Sequence, residues 1–587
     1  MRQGSAAPPG EGLFRAPGFG TAWAPVATLE AKGPDPVAAA VAAGLAGARP
    51  DGAARAAARD VMARLRAARV GGAPGLPDPG PIGLGLPAQA AAVVLDPGRD
   101  LPAARAMVAA ALATERPVLV ALDPDAPPGA KPVLEAAGAR RLPGRLAPWT
   151  LLDLAASLHT VSAEMALLAG AAGLTVILGG DVPWGGVPAE AAMAALLART
   201  RWIDPFRGRP WTAAEGIAQL ADWRRAEAAN RRIVAATGMD LFKRTAMRDW
   251  LAGQGTAPRL RFRASAALRL ARAQGGDVAV WAAAMPPGLP ARAAAAGVGL
   301  VRIEDGFIRS AGLGVHRARA ASLVMDGAGI HYDPSTESEL ERLLATTVFD
   351  PALLARAARL RGMITATGVT KYNLAGPAAL PALPPGRRVI LVPGQVEDDA
   401  AIRRGGGRIR TNLALLRAVR AENPEAVILW KPHPDVEAGM RRGAVPAREA
   451  RALADHVLDR VPIGPLYALA PEVHCISSLT GFEALLRGLP VVTWGQPFYA
   501  GWGLTADRDP PPRRGRRLSI DELVAGALIL HLRCRDPVTG LPCPPELLVE
   551  RLAEGRTAPP PPPRVPAPLR AFVARCSRLL AGLGARL

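Results

Sequence analysis

The sequence predicts an α/β protein whose sheets are built from parallel strands. Three apolar runs have the composition of buried strands, residues 389–392 (VILV), 426–430 (AVILW) and 473–476 (VHCI), and each leads into a polar loop. Helical patterns follow, as in residues 412–420 (NLALLRAVR), and the order of strand, polar loop and helix then repeats. This order is typical of parallel sheets, whose ligands bind at the carboxyl ends of the strands.

The composition restricts the class of partner. With 587 residues, the chain is long enough for about three or four folding units with large apolar cores. Its 71 Lys and Arg residues against 51 Asp and Glu residues give a formal net charge of +20, which suits nucleic acid, an anionic membrane surface or anionic substrates. Aromatic residues make up 4% of the chain and are not interleaved with a basic stretch, so no nucleic-acid partner is expected.

Redox and targeting signals favour the cytoplasm. The four cysteines, Cys475, Cys534, Cys543 and Cys576, have neither metal-binding nor redox spacing, which favours a reducing compartment. The N-terminus shows no apolar segment before a cleavage site, and the apolar run 165–178 is too short to span a bilayer. We therefore expect a cytoplasmic protein whose membrane contact is peripheral.

Polar side chains at the ends of the strands predict an anion site. Lys431 and His433 follow the second strand, and Ser477 and Ser478 follow the third, directly before a helix. A helix N-terminus offers free N–H groups and a partial positive charge, so a phosphate is a natural occupant. Glu483 lies one turn inside that helix, where its carboxylate could accept hydrogen bonds from the hydroxyl groups of a ribose.

Simpler interpretations of these residues stay open. Lys431 could be a solvated strand end, and Ser477 and Ser478 could cap the helix and do nothing more. His433 stands between two prolines, which remove backbone donors and hold the loop open, so a core histidine is an awkward interpretation there. The aromatic loop 496–503 could stack on a sugar or nucleotide, but packing between subdomains is favoured because Trp and Phe are usually buried.

Five short motifs occur together in the chain. They are residues 304–310 (EDGFIRS), 395–400 (QVEDDA), 431–435 (KPHPD), 477–483 (SSLTGFE) and 495–505 (GQPFYAGWGLT). In this order they resemble the motifs of the bacterial capsular polysaccharide β-Kdo transferases of the KpsC type. The resemblance is dense over about residues 225 to 550. It implies the GT-B glycosyltransferase architecture, in which two Rossmann-like subdomains face each other across a crevice.

The resemblance also implies an activity and its partners. A retaining β-Kdo glycosyltransferase would take Kdo from CMP-β-Kdo, with no cofactor or metal ion, and add it to a lipid-linked phospholipid acceptor in capsular polysaccharide biosynthesis. The implied partners are the nucleotide sugar, an anionic glycolipid acceptor, the inner-membrane surface and capsule assembly or export proteins. Two other interpretations stay open: a non-catalytic assembly or export component, and a GT-B enzyme that uses another nucleotide sugar.

A retaining transferase of this kind requires a carboxylate next to the anomeric carbon. The resemblance assigns this role to Asp399, with Asp398 and Glu397 as rivals. Glu304 is the expected general base at the acceptor hydroxyl. The expected phosphate ligands are Lys431, His433, Ser477 and Ser478, with Glu483 at the ribose. The side chains expected on the acceptor side or in the cleft are Asp305, Arg309, Gln395 and Arg403.

The first half of the chain repeats the pattern of the second at a spacing of about 300 residues. Residues 93–98 match 390–394, and residues 117–125 match 426–435. The early copy lacks the polar residues, since Ala163 stands at the position of Ser478, Leu168 at that of Glu483, and residues 122–125 (LDPD) contain neither base nor cation. We interpret this copy as degenerate and structural.

The sequence therefore predicts five segments. They are a flexible N-terminus (1–27), a degenerate partial repeat of the glycosyltransferase module (28–216), an N-terminal Rossmann-like subdomain with a helical connection (217–385), a C-terminal Rossmann-like nucleotide-sugar-binding subdomain with closing helices (386–556), and a Pro-rich linker with a basic amphipathic helix (557–587). That last helix suits an anionic lipid surface or a partner groove, or it packs on its own domain.

Overall fold

The computed structural model divides the chain into two compact units. It describes residues 12–19, 22, 24–31, 35–95, 101–121, 139–142, 144–179, 185–310, 320–371, 373 and 380–556. The first unit comprises residues 1–231 with 251–257, and the second comprises residues 232–250 with 258–587. The linker and amphipathic helix predicted at 557–587, and the degenerate loop at 122–125, lie outside the described residues. The predicted domain boundaries remain predictions.

A parallel five-stranded sheet forms the centre of the first unit. The strands of this unit are β1 (Ala27–Leu29), β2 (Ala91–Leu95), β3 (Val118–Ala121), β4 (Arg140–Arg141), β5 (Ala155–Thr160), β6 (Thr175–Leu178) and β7 (Thr200–Trp202). The sheet has the order β4-β3-β2-β5-β6, and β1 pairs separately with β7. The helices are α1 (Pro36–Gly47), α2 (Gly52–Ala68), α3 (Gly80–Leu84), α4 (Leu101–Leu112), α5 (Pro148–Leu154), α6 (Ala163–Ala172), α7 (Ala189–Ala198) and α8 (Ala213–Arg232).

Part of the predicted flexible N-terminus is packed in this unit. A short 3-10 helix, Gly12–Phe14, buries the Phe14 side chain, whose ring centroid lies 4.5 Å from that of Trp202. Phe19 is also buried and contacts Trp223 edge to face. The expectation of loose order therefore differs from the structure in this stretch, because apolar side chains scattered among glycines and prolines still find a core.

The second unit contains two sheets. Its strands are β8 (Ile233–Thr237), β9 (Arg259–Leu260), β10 (Asp277–Trp281), β11 (Leu300–Asp305), β12 (Ser322–Asp326), β13 (Val389–Pro393), β14 (Val427–Lys431), β15 (His456–Val457), β16 (Glu472–Cys475), β17 (Val491–Thr493), β18 (Ala506–Asp507), β19 (Arg533–Arg535) and β20 (Pro542–Cys543). One sheet has the order β20-β19-β12-β11-β10-β8-β9, and it is parallel from β9 to β11. The other has the order β15-β14-β13-β16-β17-β18 and is parallel throughout.

Helices connect these strands. They are α9 (Leu241–Trp250), α10 (Ala264–Gln274), α11 (Leu289–Ala295), α12 (Glu339–Thr346), α13 (Pro351–Thr367), α14 (Ala400–Gly405), α15 (Asn412–Glu422), α16 (Pro434–Glu437), α17 (Ala447–Leu453), α18 (Ile463–Leu469), α19 (Leu479–Leu486), α20 (Ile520–Val524) and α21 (Pro545–Ala553), with a π-helical turn at Ala525–His531. Among the described residues, no helix combines the length and apolar character that a membrane crossing requires.

The second sheet of this unit has the strand order of a Rossmann fold, in which ligands bind where the order reverses. That point lies between β13 and β16, the strands that enter the sheet first and fourth along the chain. Every residue of β13 and β14 is buried, as expected for strands with helices on both faces. The sheet of the first unit, β4-β3-β2-β5-β6, follows the same order over its five strands, which is the order that an internal duplication requires.

An aromatic cluster packs the two halves of the second unit together. Phe307, from the loop after β11, stacks on Phe498 with 4.5 Å between ring centroids, and Phe482 of α19 lies 5.1 Å from Phe498. Tyr499 and Trp502 of the same aromatic loop are fully buried. The packing interpretation of loop 496–503 is therefore the one that the structure supports. Two Rossmann-like halves closed against each other in one compact unit form the predicted GT-B architecture.

Candidate active site

The predicted site residues collect at the carboxyl ends of four strands in the second unit. Glu304 and Asp305 end β11, whereas Asp398 and Asp399 follow β13. The segments after β14 and β16 supply the residues predicted to hold the phosphate. The charge of Asp399 is near enough to raise the pKa of Glu304, so the two halves of the unit bring their carboxylates to one cleft.

Glu304 has the titration behaviour of an acid–base group. Its Oε2 accepts a hydrogen bond from the Tyr332 hydroxyl at 3.4 Å, and its Oε1 accepts one from the Asp305 N–H at 3.1 Å. Burial raises its pKa to about 7, although Lys243 acts in the opposite direction, and the neighbouring charges of Asp305 and Asp399 add to the rise. A carboxyl group that titrates near neutral pH can exchange a proton with a substrate hydroxyl.

Asp305, the next residue, is held in the ionised form. Burial opposes its ionisation, but Lys243, Arg309 and Lys371 outweigh that effect and lower its pKa to about 2. Arg309 is 4% exposed and its Nε lies 2.9 Å from Asp305 Oδ2. Two adjacent carboxyl groups therefore have pKa values pushed in opposite directions, which is how acid–base roles are separated in active sites. Arg309 acts here as a buried partner of Asp305.

Asp399 combines a structural role with an accessible oxygen. Its Oδ1 accepts a hydrogen bond from the Ala401 N–H at 2.9 Å and so caps α14. Its Oδ2 lies 4.0 Å from Nη2 of Arg441, and the side chain is 50% exposed. Asp398 is bound more closely by Arg441, at 3.2 Å. Both side chains are about half exposed, and Asp399 differs in that its charge is close enough to act on Glu304.

Gln395 and Ser477 connect the segments that follow β13 and β16, the two strands between which the strand order reverses. The Ser477 N–H donates to Gln395 Oε1 at 2.9 Å, and Gln395 Nε2 donates to Ser477 Oγ at 3.2 Å. Ser478 caps α19 by accepting a hydrogen bond from the Thr480 N–H at 3.2 Å. These contacts hold the N-terminus of α19 in place at the floor of the crevice.

Lys431 has a protein partner in this structure. Its Nζ lies 3.0 Å from Oε2 of Glu437 and donates to the Pro432 carbonyl oxygen at 2.6 Å. The side chain is 6% exposed, and burial lowers its pKa, although Glu437 acts against that effect. The ion pair braces the loop that carries His433. A contact between Lys431 and a phosphate remains a prediction.

His433 is a neutral side chain rather than a cation. Its Nδ1 accepts a hydrogen bond from the Asp435 N–H at 3.1 Å, which leaves the proton on Nε2. Burial lowers its pKa to about 3, and the positive charges of Lys371, Lys431 and Arg441 lower it further. Within the described part of the chain, no protein group bonds to Nε2. The ring can therefore offer one N–H to an anionic ligand.

Glu483 connects the helix to the segment between the two halves. Its Oε2 accepts a hydrogen bond from the Tyr467 hydroxyl at 2.5 Å, and its Oε1 accepts one from the Lys371 N–H at 2.7 Å. The side chain is buried, which raises its pKa. Both oxygens thus have protein donors, and a contact with ribose stays a prediction. Arg403 lies exposed on α14.

Two lysines at the cleft are not among the residues that the sequence predicts. Lys243 lies on α9 with its Nζ 3.5 Å from the ring centroid of Trp281, and its charge acts on both Glu304 and Asp305. Lys371 acts on Asp305 and His433, one from each half. The rarity of lysine could have drawn attention to them. The chain contains only five lysines, Lys32, Lys131, Lys243, Lys371 and Lys431.

One cluster among the described residues has the composition of a metal site. Oxygens of Asp326 and Glu339 and a ring nitrogen of His531 lie within 4.8 Å of one another. The Asp326 carboxylate, however, accepts hydrogen bonds from the backbone N–H groups of Ala328, Gly329 and Glu339. These bonds close the loop after β12, so they account for the buried carboxylate without an ion.

Comparison with known proteins identifies the family. The family described as capsule polysaccharide biosynthesis protein matches residues 366–534. The capsule polysaccharide modification protein LipA of Neisseria meningitidis serogroup A is 40% identical over 341 residues, which are 58% of this chain and 48% of LipA. The lipopolysaccharide-processing protein LpsZ of Rhizobium meliloti is 44% identical over 237 residues, which are 40% of this chain and 54% of LpsZ. The chain thus spans about half the length of the curated relatives it matches.

A solved structure adds a match over a whole chain. The β-Kdo 2,7 transferase of KpsC from Thermosulfurimonas dismutans is 33% identical, with a TM-score of 0.45, and the match covers 55% of this chain and 99% of that one. Identity at this level over nearly all of the solved chain agrees with the match to the capsule family and with the order of the motifs. The protein therefore belongs to the KpsC-type family of capsule polysaccharide biosynthesis proteins.

Proposed function

We propose that this protein is a retaining β-Kdo glycosyltransferase, which transfers Kdo from CMP-β-Kdo to a lipid-linked acceptor in capsular polysaccharide biosynthesis. The observation that carries the proposal is the pairing of Asp399 with Glu304 across one cleft. Asp399 has an accessible oxygen, and Glu304 has a pKa of about 7. A retaining transfer requires these two kinds of carboxyl group, one as nucleophile and one as acid–base group.

The donor would bind with its phosphate at the N-terminus of α19. The helix dipole and the free N–H groups favour an anion there, and the Nε2 N–H of His433 would donate to the same phosphate. Lys371 and Arg441 supply positive charge beside these donors. Such groups stabilise the negative charge that develops on CMP as it departs.

The reaction would proceed by two displacements. In the first, an oxygen of Asp399 forms a bond to the anomeric carbon of Kdo while the bond from that carbon to the phosphate oxygen breaks, and the electron pair leaves with CMP. In the second, the acceptor hydroxyl attacks the same carbon, Glu304 takes the hydroxyl proton, and the Asp399 carboxylate is released. Two inversions give net retention. The acceptor would reach the cleft from the inner-membrane surface, where capsule assembly and export proteins are the expected partners.

Mass spectrometry of the full chain with CMP-β-Kdo and no acceptor tests this mechanism. The Glu304→Gln variant should accumulate a Kdo adduct, because the second displacement lacks its base, and peptide mapping should place the adduct on Asp399. Asp399→Asn should abolish it while keeping the cap of α14, since Asn caps helices as well as Asp does.

Asp398→Asn is the matched control and should still form the adduct. An adduct on another residue would remove Asp399 from its proposed role. If no variant forms an adduct and the unsubstituted chain yields neither product nor free CMP, the protein is a non-catalytic assembly component and the proposal fails.

A further inference from the structure

A basic and partly apolar patch lies on the first half of the second unit, outside the cleft. It is formed by α9 and by the segment that follows β9. Two large apolar side chains are exposed there, Leu241 at 47% and Phe262 at 63%. Arginines surround them, and the Arg244 guanidinium lies 4.2 Å from the ring centroid of Phe262. We call this surface, formed by Leu241, Arg244, Arg248, Arg261, Phe262 and Arg263, the α9 patch.

The spacing along α9 separates an outer face from an inner one. Leu241, Arg244 and Arg248 follow one another at intervals of three and four residues, so they share one face of the helix. The opposite face carries Lys243 and Met247. Met247 is 3% exposed, and Lys243 contacts Trp281 and acts on Glu304. One helix thus connects the patch to the cleft, about one helix diameter (about 10 Å) away.

The patch has an excess of positive charge that the described residues do not neutralise. Residues 239–263 contain six basic side chains and two acidic ones, Asp240 and Asp249. Asp240 accepts a hydrogen bond from the Lys243 N–H at the start of α9. No ion pair joins an arginine of the patch to a carboxylate in the described residues. Burial lowers the pKa of Arg244, and the positive charge of Arg261 lowers it further, so these two guanidinium groups are close together.

We propose that the α9 patch docks on an anionic phospholipid bilayer, with Phe262 and Leu241 entering the interface and the arginines contacting lipid phosphates. Exposed apolar side chains surrounded by unpaired cations are the features of interfacial membrane binding. Two isolated apolar side chains offer too little area for a stable protein interface, which buries about 800 Å² per partner. The inference rests on the proposed function in one respect, since a lipid-linked acceptor gives the docking its purpose.

Vesicle sedimentation of the full chain tests the docking without any sugar donor. The chain should bind vesicles of phosphatidylglycerol and phosphatidylcholine, bind phosphatidylcholine alone far less, and be released as salt is raised. Replacing Arg244, Arg261 and Arg263 by Gln should weaken partition into anionic vesicles about 100-fold, because each basic residue near such a surface contributes about a factor of five. Leu241→Ser with Phe262→Ser should also weaken it.

A matched control removes the same charge elsewhere. Arg269, Arg272 and Arg292 are exposed on α10 and α11, and their replacement by Gln should leave binding within about threefold of the unsubstituted chain. If the two triple variants lose binding equally, net charge and not the α9 patch is responsible, and the proposal is wrong. Equal binding to phosphatidylcholine alone, or stronger binding to an acidic protein than to anionic vesicles, would also overturn it.

Two further measurements keep the result independent of variant folding and of the proposed enzyme activity. Hydrogen exchange of the unsubstituted chain should slow in residues 241–250 and 259–263 when anionic vesicles are added, and unchanged exchange there would contradict the docking. With a water-soluble acceptor the patch variants should transfer Kdo at the unsubstituted rate, whereas with an acceptor in vesicles they should be slower. If the unsubstituted chain transfers Kdo to neither acceptor, the proposed transferase activity is refuted instead.

Discussion

Replacing Lys243 by Met should move the pH dependence of Kdo transfer upward. Glu304 acts as a base only when ionised, so kcat/KM of the unsubstituted chain should fall as the pH falls through about 7. After burial, Lys243 has the largest influence on the pKa of Glu304 and favours the ionised form, and a neighbouring opposite charge lowers a carboxyl pKa by about 1 to 3 units. Without that charge, the pH at which kcat/KM falls on the acidic side (the acid limb of the profile) should rise by at least about 1 pH unit. This corresponds to about a tenfold loss of kcat/KM at pH 6.

The assay is kcat/KM for a water-soluble acceptor between pH 5 and pH 9 at saturating CMP-β-Kdo, because Glu304 acts in the second displacement. Asp305→Asn provides the opposite perturbation, because the negative charge of Asp305 raises the pKa of Glu304, and its acid limb should move to lower pH. Arg272→Met removes an exposed charge on α10 and should leave the limb in place. An unmoved limb in Lys243→Met, or a shift of the same sign in both cleft variants, would refute the assignment of Glu304 as the base.

Two other predictions concern ligand choice and packing. CMP should raise the thermal unfolding temperature more than UDP does at equal concentration, since a ligand that binds the folded state stabilises it. A larger rise with UDP would favour a GT-B enzyme that uses another nucleotide sugar. Phe498→Ala should lower the free energy of unfolding by about 3 to 5 kcal/mol in urea titrations, because it opens a cavity between Phe307 and Phe482. A loss below about 1 kcal/mol would show that the aromatic cluster does not hold the two halves together.

The second Rossmann-like half could be read from the sequence because its strands are continuous apolar runs. Residues 426–430 predicted a strand that the structure places at Val427–Lys431, and the helix predicted at 412–420 extends over Asn412–Glu422. Central parallel strands are buried on both faces, so their hydrophobicity alone marks them. The short edge strand Ala506–Asp507 has no such run, and only pairing with a neighbour defines it.

The side-chain partners at the site could not be predicted in the same way. Lys431 and His433 lie where the strand pattern placed them, but the ion pair with Glu437 and the Nδ1 hydrogen bond depend on how the short helix Pro434–Glu437 folds back. Lys371 comes from a segment with no strand or helix pattern. Its position follows from backbone bonds to both halves, which are tertiary contacts that local pattern does not encode.

Those bonds at Lys371 have a mechanical consequence. Its amide N–H is held by Glu483 of the second half, while its carbonyl oxygen accepts from the N–H groups of Arg309 and Ser310 of the first half. Displacing either half would therefore stretch a hydrogen bond at this one residue. Because Glu483 belongs to α19, a displacement of that helix would be transmitted through Lys371 to the loop after β11.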